Sequence, residues 1–325
     1  PIDTSSGTNF NQTWRDNSNL TSFPFLNTSS GTNFSNTWRD CTSLTSFPSI
    51  DTSSGTSFNT AWHACSSLTS FPLLDTSSGT DFNNSWKYCS GLTSFPLLDT
   101  SSGTTFVNAW NGCSSLTSFP LIDTSSGTNF QAAWQNCTGL TSFPLINTSS
   151  GTNFNIAWNG CSNLTSFPLI DFSSATSANY TWMSCSSLTS FPLLDFTNCT
   201  GNFTDTWLGC SSLTSFPAIV CNGTSYNECW KGCTNLTTFP ANMFNSTPII
   251  EAKGHGKSWS GAWTSCALTA QSIENILVSL DTNGANNCQV GINGGSNAAK
   301  TTWSTAANNA YTNLINKGWT VDHNP

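Results

Sequence analysis

The stretch SSLTSFPLLDTSSGT, Ser66 to Thr80, decides the fold, because the chain repeats it almost word for word. The Phe-Pro prolines mark the period: Pro24, Pro48, Pro72, Pro96, Pro120, Pro144, Pro168 and Pro192 lie 24 residues apart. Pro217 and Pro240 continue the series with slips of one residue. A fixed period of this size is the signature of a solenoid, in which each unit buries its apolar face only against a copy of itself. The period therefore overrides the two-domain expectation that 325 residues would otherwise suggest.

One unit reads from Thr56 to Leu74. Phe58, Ala61, Trp62 and Cys65 fall at i, i+3, i+4 and i+7, which predicts one face of a short helix with Thr56 as its N-cap. About two turns of helix are unstable alone, so the helix must lean on its neighbours. Leu68 to Leu74 should be extended, because Pro72 forbids helix there and biases Phe71 toward β or polyproline geometry. Asp75-Thr76-Ser77-Ser78-Gly79 should turn the chain, with the Asp side chain bonding the backbone two residues on and Gly79 supplying a positive φ where one is needed.

Rows emerge when the units are aligned. The always-aliphatic row of Leu26, Ile50, Leu74, Leu98, Ile122 and Ile146 is placed inside. The row before it (Phe25, Leu73, Leu97, Leu121 and Leu145, with Ser49 among them) is variable, so it reads as half-exposed and is the candidate ligand-binding row. Tryptophan recurs at Trp14, Trp38, Trp62, Trp86, Trp110, Trp134, Trp158, Trp182, Trp207, Trp230 and Trp263. These indoles share a face with Phe and Cys, which reads as core rather than as a carbohydrate platform. Where the aromatic four residues earlier is replaced by Ala178, Tyr180 is the expected substitute.

Cys41, Cys65, Cys89, Cys113, Cys137, Cys161, Cys185, Cys210, Cys233 and Cys266 each follow a Trp by three, while Asn17 holds that place in the first unit. One thiol per turn fits a small buried hydrophobe better than a disulfide framework. Cys199 and Cys221 stand off the row on neighbouring irregular turns and are the candidate disulfide. The three histidines are scattered and no pair of CxxC knuckles exists, which disfavours zinc. The row of Asp3, Asp51, Asp75, Asp99, Asp123, Asp171 and Asp195 is interrupted by Asn27 and Asn147. Turn capping explains both residue types, whereas calcium would lose ligands at the Asn rungs. A periodic carboxylate row makes no single hydrolytic cleft, and no catalytic set or phosphate loop stands out. The reading is non-enzymatic, with no metal and no cofactor.

Charged residues are only 7%, with a net charge of −8. That disfavours nucleic acid and anionic membrane surfaces as partners. No run of transmembrane length is present, so no membrane insertion is expected. Pro1 is the second half of a Phe-Pro pair, so the sequence opens inside a repeat, as a processed chain or the ordered part of something longer would. That open first turn invites an upstream chain or a further copy of itself.

Past Pro240 the rhythm breaks. Ala241 to Lys257 reads as an insertion, and Trp259 and Trp263 restore one degenerate turn. Helices are predicted over Ala270–Leu280 and Ala306–Lys317, and strands over Gln289–Ile292 and Trp319–Val321. The expected organisation is a solenoid over 1–240, the insertion and last turn over 241–266, and a capping unit over 267–325. The fold class is an α/β solenoid: a right-handed coil of strand–turn–short-helix units with an α+β C-terminal cap.

The string Leu-Thr-Ser-Phe-Pro-Leu-Leu-Asp-Thr-Ser-Ser-Gly-Thr-Asn-Phe, followed by Trp-x-x-Cys, resembles the BspA-like surface leucine-rich repeats over about residues 1–240. It departs from them in using Trp where Phe is usual and Gly79 where an aliphatic is usual. The resemblance implies an extracellular, cell-surface or virion-borne role and carries over no catalytic residue. Three functions stand open: attachment to a surface glycan or protein receptor, a structural subunit of a phage tail fibre or extracellular fibril, and ice binding through Thr ladders such as Thr21, Thr45, Thr69 and Thr93.

Overall fold

The computed structural model describes residues 3–245 and 259–325. The contacts divide the chain into two compact units, Pro1–Asn153 with Ala157–Leu164, and Phe154–Ile156 with Thr165–Pro325. Most of the insertion expected at Ala241–Lys257 lies outside the described residues.

Each coil of the first unit is a solenoid turn of 24 residues. Along its extended segment Leu68, Phe71, Leu74 and Thr76 are buried, while Thr69, Ser70, Leu73 and Asp75 face out. The turn that follows is closed by Gly79 N donating to Thr76 O at 2.8 Å. Asp75 Oδ1 accepts from the backbone N (3.1 Å) and the hydroxyl (2.7 Å) of Ser77. The Asp row thus caps a turn in every coil that carries it.

The expected short helix is absent, and this corrects the reading of Phe58 to Cys65. The segment is two successive four-residue turns: Ala61 N donates to Phe58 O (3.0 Å) and Cys65 N to Trp62 O (3.2 Å). Their third residues, Thr60 and Ala64, hold φ of 60° and 56°, as type II turns require. The alternate N–H groups leave the coil. Phe58, Thr60, Trp62 and Ala64 donate to the carbonyls of Asp81, Asn83, Ser85 and Lys87 in the next coil at 2.7–2.9 Å. Two turns of four residues put apolar side chains at the same spacing as two turns of helix, so periodicity does not separate them. Hydrogen bonding does: a helix that short would leave most of its N–H groups unpaired, whereas here each coil pairs with the next. Thr56 caps nothing; its hydroxyl donates to Thr32 O at 3.1 Å in the preceding coil.

Gly79 also differs from expectation. It needs no positive φ; an added Cβ would lie 2.6 Å from Phe82 Cζ and 3.0 Å from both Phe58 Cε2 and Thr76 O. Glycine is there for room.

Stacking aligns the rings. In the first unit Trp14, Trp38, Trp62, Trp86, Trp110, Trp134 and Trp158 form one column, with centroids 5.1–5.7 Å apart and planes within 12°. Burying each ring removes roughly 150–250 Å² from water, about 4–6 kcal/mol. A second column, not anticipated from the sequence, is polar. Thr28, Thr52, Thr76, Thr100, Thr124 and Thr148 are fully buried. The hydroxyls of Thr52, Thr76, Thr100 and Thr124 donate at 2.5 Å to the carbonyl of the Asp or Asn one coil on.

The second unit repeats these coils and ends them. Trp182, Trp207, Trp230 and Trp263 stack at 5.1–5.6 Å. Phe172, not Tyr180, fills the room left by Ala178: its ring lies 4.3 Å from Phe154 and 5.4 Å from Trp182, while Tyr180 adopts a φ of 59° and is partly exposed. Phe172 stands in the buried Thr row, so one column lends bulk to another. Strands β1 (Asp195–Phe196) and β2 (Val220–Cys221) pair in parallel.

Helix α1 (Ala270–Asn283) is capped by Thr269, which accepts from Ser272 N, and ends at Gly284 with φ 85°. It replaces the next coil: Ser272 and Ser279 hydroxyls accept the N–H groups of Phe239 (3.0 Å) and Phe244 (2.8 Å). Strands β3 (Gln289–Ile292) and β4 (Thr320–His323) pair in parallel, with α2 (Thr305–Asn316) between them in the chain and packed on α1.

Candidate functional site: an exposed row and a sealed core

The row read as half-exposed is more open than that. In the first unit Phe25 is 73% exposed and Leu73, Leu97, Leu121 and Leu145 are 61–64% exposed; in the second, Leu169 and Leu193 reach 63% and 62%. The cause is local. Pro72 and Leu74 bracket Leu73, and alternation along the extended segment sends Leu74 to the core and Leu73 to water. Ser49 occupies the same position in its coil, so the fold does not need an apolar side chain there. Exposed Thr69, Ser70 and Asp75 flank Leu73 along the segment. Phe25 also borders a concavity of about 540 Å³ on the first coil, lined by Trp14, Leu20, Phe23 and Leu26 among others.

The remaining rows are sealed. The indoles of Trp38 through Trp134 and of Trp207, Trp230 and Trp263 are fully buried, and Trp14 is half-buried. The thiols are buried and hydrogen-bonded. Cys65, Cys89, Cys113 and Cys137 each donate from Sγ to the carbonyl of the Trp in the preceding coil at 3.0–3.2 Å. In the second unit Cys210, Cys233 and Cys266 do the same to Trp182, Trp207 and Trp230. Asn17, in the thiol position of the first coil, turns to its own Trp14 O at 2.8 Å. Burial pushes the Cys113 and Cys161 thiols up to about 12, which leaves them protonated and poor nucleophiles.

Cys199 and Cys221 do not form the expected disulfide; both are buried thiols. Register is the reason. Cys221 pairs opposite Phe196 in the β1–β2 ladder, whereas Cys199 closes the turn three residues further on, donating from its N to Phe196 O at 2.9 Å. The two sulfurs belong to different rows of adjacent coils.

Among the described residues no three His, Cys, Asp or Glu side chains are grouped to hold a metal ion, and no helix is long and apolar enough to cross a membrane. No protein-family model matches the chain, and no curated protein matches it. Two solved structures are similar. One is an internalin (inlF) from Listeria monocytogenes, 12% identical, covering 89% of this chain and 78% of that one at a TM-score of 0.30. The other is a leucine-rich repeat protein from Bacteroides ovatus, 15% identical, covering 94% and 87% at a TM-score of 0.25. Overlaps this weak leave the functional reading to the coils themselves.

Proposed function

We propose that the chain is a non-enzymatic, extracellular or virion-borne attachment module of the BspA-like kind. In it, residues 1–240 present a recognition face and 267–325 close the end. The reading rests on one observation: Leu73, Leu97, Leu121 and Leu145 stand 61–64% exposed, one per coil, at a position where the fold accepts Ser49 equally well. A contiguous row of apolar side chains kept in water, one per coil, marks an interaction surface. Aliphatic side chains flanked by hydroxyls suit a surface glycan or protein that offers both apolar patches and hydrogen-bonding groups. The buried thiols and indoles take no part in contact and serve to hold the row straight.

The test is a panel of surface glycans and whole cells probed with the intact protein and with a Leu73→Ser/Leu97→Ser/Leu121→Ser variant. The variant copies Ser49, so it should fold unchanged, and binding should drop at least about tenfold. Equal binding by both proteins removes the row from the function. An intact protein that binds nothing on the panel removes attachment itself.

A further inference from the structure

Every basic side chain of the first unit falls at a single position of its coils. Arg15, Arg39, His63 and Lys87 each follow the row tryptophan directly, in four consecutive coils, and no other Arg, Lys or His occurs in residues 3–164. The backbone holds the position in register: Asp16 N donates to Arg39 O, Asp40 N to His63 O and Ala64 N to Lys87 O, all at 2.7–2.8 Å. With the underlying rings 5.3–5.7 Å apart, the four side chains form a row of three permanent cations, Arg15, Arg39 and Lys87, and one imidazole, His63, which burial holds below its ordinary pKa.

The next three coils put amides in the same place, and there neighbouring side chains bond from coil to coil. Asn111 Nδ2 donates to Gln135 Oε1 at 2.8 Å, and Gln135 Nε2 to Asn159 Oδ1 at 3.4 Å. Cations cannot bond one another in that way, and like charges one coil apart repel. Asp16 and Asp40 offset part of this: Arg15 Nε lies 3.3 Å from Asp16, Arg39 Nε 3.0 Å from Asp40, and His63 Nδ1 3.4 Å from Asp40. Among the described residues the terminal nitrogens of Arg39 and the Lys87 ammonium have no carboxylate partner. Lys87 Nζ instead stands 5.1 Å from the ring of Tyr88, which is 48% exposed and meets His63 edge-on at 5.6 Å. The coils thus spend scarce charge to build an unfilled donor row beside an open aromatic ring.

We propose that this row, on the first four coils, binds a linear acidic polysaccharide, with carboxylate- or sulfate-bearing sugars meeting Arg15, Arg39 and Lys87 and one sugar ring lying on Tyr88. Charge density favours sugar over nucleic acid: a duplex carries one negative charge per about 1.7 Å of its axis, an acidic polysaccharide at most about one per sugar, and the net charge of −8 repels the denser polyanion more strongly over the remaining surface. Asp16 and Asp40 supply acceptors for sugar hydroxyls between the anionic groups. The site uses different residues from the exposed leucine row and stands or falls separately from it.

The experiment measures binding of the intact protein to a polyuronate oligosaccharide of six residues, to its methyl-esterified neutral counterpart, and to single-stranded DNA of matched charge. An Arg39→Asn/Lys87→Asn variant takes the residue type that the row already carries at Asn111 and Asn159, so it preserves the fold, which circular dichroism verifies. A Tyr88→Ala variant tests the ring without changing charge. The acid oligosaccharide should bind, and bind more weakly as salt rises. The ester should fail, and each variant should lose about tenfold. Equal affinity for ester and acid, tighter binding of the DNA, or undiminished binding by Arg39→Asn/Lys87→Asn overturns the proposal, as does no binding of the oligouronate and of a sulfated oligosaccharide alike.

Discussion

The tryptophans of the coils and those of the C-terminal cap solve the same problem in opposite ways. In the cap, Trp319 Nε1 donates to Ala285 O at 2.8 Å and Trp303 Nε1 to Ala298 O at 3.2 Å. In the coils the indole N–H groups of Trp38, Trp62, Trp86, Trp110 and Trp134 meet no acceptor. Each of these rings instead stacks on its neighbours and stands edge-on to two phenylalanines, as Trp110 does at 5.5 Å from Phe95 and 4.9 Å from Phe119. A buried donor without a partner costs about 1–3 kcal/mol. Favourable ring pairs add about 0.5–1.5 kcal/mol each beyond burial, and four such contacts per ring outweigh the loss. Repetition explains the choice. Inside the stack the carbonyls of Trp62, Trp86 and Trp110 are each taken twice, by the N–H of the Cys three residues on and by the thiol of the next coil.

Thiol ionisation should break the comparison most completely. Burial holds the Cys113, Cys161 and Cys210 thiols up at about 12 against an ordinary value of 9.0, and raises those of Cys65, Cys89, Cys137 and Cys233 as well. A thiol with a raised folded pKa contributes its stability in full below the unfolded value and loses it as pH rises toward the folded one. The coils from Cys41 onward, which carry these thiols, should therefore lose stability from about pH 9 upward and unfold before about pH 12. The cap, which holds only Cys288, should survive longer. Near-ultraviolet dichroism from the stacked indoles against far-ultraviolet helix signal separates the two. A coil signal that persists as long as the helix signal refutes the thiol ladder's role.

Next in size is Trp110→Ala, which opens a ring-sized hole in the column and should cost about 3–5 kcal/mol in denaturant titration. The glycines differ by region in the same manner as the indoles. Gly103→Ala puts a Cβ 2.5 Å from Phe106 Cζ and should cost about 1–3 kcal/mol by overpacking. Gly284→Ala meets nothing within 4 Å, and its cost, about 1 kcal/mol, comes from the positive φ alone. Replacing the indole N–H with sulfur (benzothienylalanine) sharpens the contrast further. At Trp319 the change should cost about 1 kcal/mol, and at Trp110 it should cost nothing or stabilise. Equal costs at both positions mean that the coil N–H has a partner after all. Smallest is a gain: Ile156 holds φ 63°, where a β-branched residue is strained, and Ile156→Asn should raise stability by about 1 kcal/mol.

The period, the rows and the C-terminal helices and strands were legible in the residues. The cap strand Gln289–Ile292 matches its expected bounds, and α1 and α2 differ from theirs by a few terminal residues. The short helix was not legible, since its spacing and that of paired turns are the same. The buried Thr column hid because threonine reads as surface, and only the carbonyl above each hydroxyl makes its burial tolerable. The exposed leucine row was legible as variable, but its degree of exposure depended on where Pro72 turned the chain.

By itself the sequence determined that identical units stack and which side chains recur at each level, because a strict 24-residue period lets each unit bury its apolar face only in its neighbour. Only the tertiary structure decided where each N–H finds its acceptor, since those partners lie one coil away and no local pattern encodes them. That choice turned helix into paired turns and the thiols into donors to the carbonyls of the coil before.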